Sequence, residues 1–309
     1  MPTHAEVAAQ RGETSRRVTV PPINEEFERY LGSALLAPFG GAFLDQVVFD
    51  DISAGVEWSG RFKADPFGRA LRTGAVEMLV FGGTEDDRRE SGEWLRQAHT
   101  DVHGEYDGVR FSALRPEAWN WVLMSAIHLY MGAYPAVTGR HLTDARAQDL
   151  YAYILGKVRH VMLPTPAGEF PVTYQEFITL YNETLDRRAV GTVTLRRESG
   201  RLLDPPSPPM VPRPAWRLVV RAISRFVVAA SFGITHHTVR ELSEVDWTPA
   251  RERDYGIVCR TMPLVYRLPR RVTMTPLAYH QYKVRRHAEL LRGTRLDSFA
   301  PDTARRCPM

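Results

Sequence analysis

Two groups of residues in this chain have types and spacings that suit chemistry. Of its ten histidines, His99 and His103 are four apart, so on a continuous helix they share a face beside the apolar stripe of Leu95, Ala98 and Val102. An imidazole pair at that spacing can hold a divalent metal, although no carboxylate is identifiable as a further ligand, and a hydrogen-bonded histidine is the commoner outcome. Upstream, Arg69 and Thr73 are also four apart, with Arg72 between them, on a face that carries Val76 and Val80. A cation and a hydroxyl thus point along an apolar surface, where a guanidinium needs a partner. The plain alternative is a helix-start arginine bonded to Asp65 or to a carbonyl. No GxSxG elbow, P-loop, HExxH or strand-to-helix GxGxxG is present.

The elements that must position these residues read as helices. Glu25, Glu26 and Glu28 open a helix carrying Leu31, Leu35 and Leu36, which Pro38 and Gly40-Gly41 interrupt. Asp65-Pro66-Phe67-Gly68 reads as a turn into a buried helix from Arg69 to Phe81. Thr84 caps a further helix that the pattern carries to about His103. Pro116 starts one holding Trp119, Trp121, Met124 and His128. Thr143 and Thr173 cap two more, the second through a capping box with Glu176. Strand-like alternation is sparse. Six prolines between Asp204 and Pro214 form a stiff connector to a second helical block at 215–232, 239–242, 249–268 and 277–291. That block is too short to bury a core alone, so it should pack on the first. The division predicted is a flexible leader at 1–22, one all-α domain at 23–292 and a flexible tail at 293–309.

Composition narrows the class. With 44% hydrophobic and 25% charged residues in 309, the chain is an ordinary globular protein, neither disordered nor collagen-like. No apolar run reaches the ~18 residues of a membrane span; the nearest, Leu218 to Gly233, is cut by Arg221 and Arg225. From Arg251 onward 13 basic residues face 5 acidic ones, so the net charge of +4 is a property of the C-terminal part. No base-reading motif or aromatic ladder accompanies these charges, which favours a solvated surface over a nucleic-acid site; an anion-binding module is a weaker reading. Two cysteines, Cys259 and Cys307, in no zinc or redox spacing, fit a reducing cytoplasm, and Arg16-Arg17 lacks the apolar segment of a twin-arginine signal.

Several segments, in order, resemble the latex-clearing rubber oxygenase / MpaB oxygenase family. They are Asp65 to Thr73, Val80-Phe81-Gly82-Gly83-Thr84, Leu95 to Gly104, Pro116-Glu117 with Trp121-Val122, the proline-rich link, and Leu242 to Arg253 with its Trp247-Thr248-Pro249. The resemblance implies an all-α, globin-like multi-helix bundle around a b-type haem, with iron held by the histidine of an HxxVxG-like segment. That histidine is His99 here; His103 is the second choice. The family's haem-side arginine and threonine fall on Arg69 and Thr73, and Arg72 stands where rubber oxygenases carry lysine. A guanidinium stays protonated and cannot ligate iron, so Arg72 suits a propionate or bound oxygen. Many members carry histidine where this chain has Phe49, Trp58 and Leu123.

The reading is a cytoplasmic, haem b-dependent oxygenase that uses molecular oxygen and a reductant on an apolar small molecule, of alkene or isoprenoid type. Arg69, Arg72 and Thr73 are the candidate catalytic residues, and Phe49, Trp58, Trp121, Met124 and His128 the candidate substrate walls. The alternative is a helical binding or scaffold protein that has kept the fold without the cofactor, as the replaced histidines suggest.

Overall fold

The computed structural model describes residues 22–166, 168–205, 212–275, 278 and 288–301. Helix starts follow the caps. α1 (Ile23–Leu31) carries Glu25 and Glu26 in its first turn. A 3-10 segment, Ala34–Val47, follows, its turns tightened around Pro38 and the glycine pair. Then come α2 (Asp50–Ser59), the short α3 (Arg61–Ala64), α4 (Pro66–Gly82) and α5 (Glu85–Ala98). The turn expected at 65–68 is the first turn of α4 itself: Asp65 is its N-cap, accepting from the Gly68 N–H at 2.8 Å, and Pro66 needs no donor there.

α5 stops at Ala98, not near residue 103 as its pattern suggested, because the chain turns into a hairpin. Strands β1 (His103–Tyr106) and β2 (Val109–Ser112) pair antiparallel across Asp107-Gly108, whose φ values of 50° and 77° are those of a tight hairpin turn. Phe111 buries its ring against α2 and Trp58, at 5.3 Å between centroids.

The remaining elements are α6 (Pro116–Thr138), α7 (Asp144–Val158), α8 (Tyr174–Arg188) and α9 (Val193–Leu203), then α10 (Arg213–Ile234), α11 (His237–Leu242), α12 (Pro249–Tyr266), α13 (Arg270–Thr273) and α14 (Ala288–Arg292). The fold is all-α, with only the two-stranded sheet among the described residues. α6 is apolar on every side and runs through the core, as such a helix must. α10 lies on the 3-10 segment and α9, and α12 on α6 and α10, so the block after the connector does pack on the first. The leader to residue 21, connector residues 206–211 and most of the helix expected at 277–291 lie outside the described residues.

The expected tail at 293–309 is packed as far as residue 301. Arg292 pairs with Asp87 and Glu90, each at 2.7 Å, and Arg295 with Glu90 at 2.6 Å. Trp94 donates its indole N–H to the Leu296 carbonyl at 2.9 Å, and Arg61 donates to the carbonyls of Phe299 and Ala300. These contacts strap residues 292–300 across α5. Among the described residues, no helix is long and apolar enough to cross a membrane.

The 3-10 segment meets α10 at Gly41, whose N–H donates to the Ser231 hydroxyl at 3.1 Å while that hydroxyl donates to the Pro38 carbonyl at 2.7 Å. A Cβ at Gly41 would stand 2.5 Å from both Ser231 Oγ and Leu202 Cδ1. Gly41→Ala is therefore expected to destabilise the fold by about 1–3 kcal/mol through overpacking, read as a lower urea midpoint at unchanged m-value.

Candidate functional site

A cavity of about 360 Å³ lies among α2, α4, α5, α6 and the C-terminal strap. Arg69, Arg72, Thr73 and His99 all line it, although they come from two helices separated by the turn at 83–84. Its remaining surface is mainly apolar, including Val76, Val80, Trp119, Leu123 and Phe299.

His99 sits at the C-cap of α5, where the helix leaves carbonyls without intrahelical partners. Its Nδ1 is 2.7 Å from the Leu95 carbonyl oxygen. A carbonyl only accepts, so Nδ1 carries the proton and Nε2 keeps its lone pair. Trp119 packs edge-on at 5.3 Å and Phe299 lies over the ring at 4.5 Å, between centroids. Burial pushes the imidazole pKa down, the Leu95 carbonyl pulls it part-way back, and the Arg69 charge lowers it again. The ring is thus neutral, oriented and able to donate electrons from Nε2. His103 is exposed on β1, because the hairpin breaks the helix that was to put it on the His99 face.

On α4 the expected face holds: Arg69, Thr73, Val76 and Val80 all meet the cavity. Arg69 lies over the Phe62 ring at 4.3 Å, with no carboxylate paired to it among the described residues. Desolvation pulls its pKa down to about 10, against the Glu198 charge that raises it and with the Arg72 charge that lowers it further. The partner considered for Arg69 belongs to Arg72, which bridges to Asp65 at 3.2 Å and leaves its own Nε buried without an acceptor. Thr73 is exposed toward the cavity.

The expected substrate walls are elsewhere. Phe49, Trp121, Tyr181 and His128 form one buried aromatic column, with centroid spacings of 4.5, 5.1 and 4.2 Å in that order. Arg188 caps it over Phe49 at 4.2 Å. Met124 is core, and Trp58 packs on Phe111. Because α6 is apolar all round, its periodicity does not say which face meets the cavity, and the face that does carries Trp119, Val122, Leu123, Ala126 and Tyr130. Of the three replaced histidine positions, only Leu123 reaches the cavity.

Sequence reading also passed over Glu77, Tyr130 and Phe299. Glu77 had a visible signal: it falls four residues after Thr73 on the same apolar face, so its carboxyl enters the cavity. Burial raises its pKa to about 7 against the lowering contact with Tyr130. A second cavity carboxylate, Asp51, is neutralised by Arg115 and by Arg188 at 3.2 Å. Among the described residues, no group of three or more His, Cys, Asp or Glu side chains could hold a metal ion.

Residues 28–265 match the catalytic domain described as ER-bound oxygenase mpaB/B'/Rubber oxygenase. The chain belongs to this family. It is therefore an oxygenase-type catalytic domain. Neither the curated proteins nor the solved structures include a match to it.

His128 gives the aromatic column a pH signature. Burial, with the His236 charge, lowers its pKa from the usual 6.5 to about 4, so stability is present above pH 6.5 and lost as pH falls toward 4. Asp45 accepts from the Tyr181 hydroxyl at 2.7 Å, and burial raises it to about 7 against that bond. Its contribution has the opposite sign, present below about pH 4 and lost as pH rises through 7, so the two offset each other. His128→Phe keeps the stack and removes only the first. The variant is expected to gain on the wild type as pH falls, by about 3 kcal/mol near pH 4, read from denaturant unfolding at pH 7 and pH 4.

Proposed function

We propose that this oxygenase uses haem b, held by His99, and oxidises an apolar, alkene- or isoprenoid-type small molecule in the cytoplasm. The observation carrying this reading is the neutral His99 imidazole, its Nε2 lone pair free, in one apolar cavity with the unpaired Arg69 guanidinium. Porphyrin iron needs only a single protein ligand, which fits a site where carboxylates and imidazoles do not cluster.

The residues present suit the group. His99 would hold the iron through Nε2, and the Leu95 carbonyl, by accepting from Nδ1, fixes the ring and raises its basicity. Arg69 and Arg72 carry donors for the two propionates, and the orphaned Arg72 Nε is one such donor. When bound, haem supplies the redox chemistry that activates dioxygen, with electrons from a reductant. Thr73 offers a hydroxyl to the same space, while the valines of α4 and the aromatic rings of Trp119 and Phe299 give it apolar walls. Arg72 remains protonated, so iron ligation by the residue at that position is absent from this member. An apolar substrate matches the walls, and two cysteines without a partner spacing support the cytoplasm.

The test is the visible spectrum of protein expressed with haem supply, before and after dithionite, with a pyridine haemochrome assay. A Soret band and near-stoichiometric haem b are expected; His99→Ala should lower haem affinity by at least about tenfold. Arg69→Met removes a desolvated cation, so the apoprotein should unfold at equal or higher denaturant while binding less haem. A folded protein that stays haem-free would instead establish the cofactor-free binding protein.

A further inference from the structure

One end of the cavity holds polar groups that the haem reading leaves unused. Glu77 stands two turns beyond Arg69 on α4, about 12 Å along the axis at ~1.5 Å per residue. Its carboxyl opens onto the cavity with no cation paired to it among the described residues. Across from it Tyr130, on α6, is wholly buried, its ring wedged edge-on between Phe27 at 6.0 Å and Phe81 at 5.2 Å. The Tyr130 hydroxyl adjoins the Glu77 carboxyl but meets no partner at full hydrogen-bond geometry. Around the pair the wall is Val80, Ala126 and Val158. The Tyr130 hydroxyl has given up water without a replacement, and the Glu77 carboxyl stands in an otherwise apolar wall, so a phenylalanine and a leucine in these places would make the more stable core.

We propose that Glu77 and Tyr130 form a recognition subsite for a hydroxyl group at the end of an apolar ligand. A hydroxyl both donates and accepts, as do a carboxyl and a phenol, so one such group completes both residues at once. An anionic end would face the Glu77 carboxyl, and an ammonium would join a cavity that already holds Arg69 and Arg72. The inference deepens the oxygenase reading by naming the substrate's polar end, and rests on that reading for calling the ligand a substrate.

Calorimetric titration of the full-length protein with geraniol, with the hydrocarbon 2,6-dimethylocta-2,6-diene and with geranylamine tests it. Geraniol is expected to bind about tenfold more tightly than the hydrocarbon, the size of one well-made buried hydrogen-bond set. Glu77→Leu should abolish that preference while raising the thermal midpoint, a combination that a structural carboxyl would not give. Tyr130→Phe keeps the ring packing and should weaken the preference, which serves if the first variant misfolds. Equal binding of alcohol and hydrocarbon, binding of none of the three, tighter binding of the amine, or a preference that survives both substitutions overturns the subsite. Haem content measured on the same samples separates the two readings. Haem-free protein that prefers geraniol overturns the haem assignment and keeps the subsite; haem-loaded protein without the preference does the reverse.

Discussion

The carbonyl end of α5 is the constraint on which the site depends. A helix leaves its last carbonyls short of partners, and here they are met from His99, Thr100 and Phe299, of which His99 and Phe299 also line the cavity. His99 Nδ1 serves Leu95, the Thr100 hydroxyl serves Arg96, the Thr100 N–H serves Gln97, and the Phe299 N–H serves Ala98 at 2.8 Å. The imidazole is therefore oriented by a carbonyl of the last helical turn, and the Phe299 N–H, on the Ala98 carbonyl, fastens the ring of Phe299 over it. Had α5 run on through residue 103, His99 would lie mid-helix, without the strap or the turn that places it against Trp119.

Against this fixed ring, α4 presents a face with two signs of polarity. Arg69 lies near its start and Glu77 two turns on, separated by Thr73 and Val76 and never paired with each other. Direct neutralisation of the two would have been the cheaper arrangement in a core, since an isolated buried charge costs more than a paired one. Asp51 shows that the fold does neutralise cavity carboxylates where it can, through Arg115 and Arg188. Asp51 is thus neutralised by paired arginines, while Arg69 and Glu77 face the same cavity without a paired charge among the described residues.

Local signals were legible in the sequence wherever one residue decides the outcome. Thr84, Thr143 and Thr173 cap the helices they announce, and the spacing of Arg69, Thr73, Val76 and Val80 gives the cavity face of α4. The same rule, extended by one residue, would have included Glu77. What was not legible depended on partners distant in sequence. Asp107-Gly108 is a hairpin signal, but its strands are only four residues each, too short for alternation to show, and so His103 was left on a helix it does not share. Residues 293–301 look like a polar tail because their partners, Glu90, Ser91 and Trp94, are some two hundred residues away.

The misassigned face of α6 has a further physical lesson. With apolar residues on all sides, that helix could present almost any face to the cavity, and its rotation is set from behind. Asp45 does this from the 3-10 segment: its carbonyl accepts from the Trp121 indole at 3.0 Å and its carboxylate from the Tyr181 hydroxyl at 2.7 Å. Three elements, the 3-10 segment, α6 and α8, are thereby locked at one angle, with His128 stacked on Tyr181 at 9° between planes. A buried polar group in this position offers little net stability, but it accepts only one arrangement of its donors. By turning Trp121 and His128 toward Asp45 and Tyr181, it obliges Val122, Leu123, Ala126 and Tyr130 to face the cavity. Trp121 and His128, which sequence placed in the pocket wall, are thus residues that hold the cavity-facing side of α6 in register.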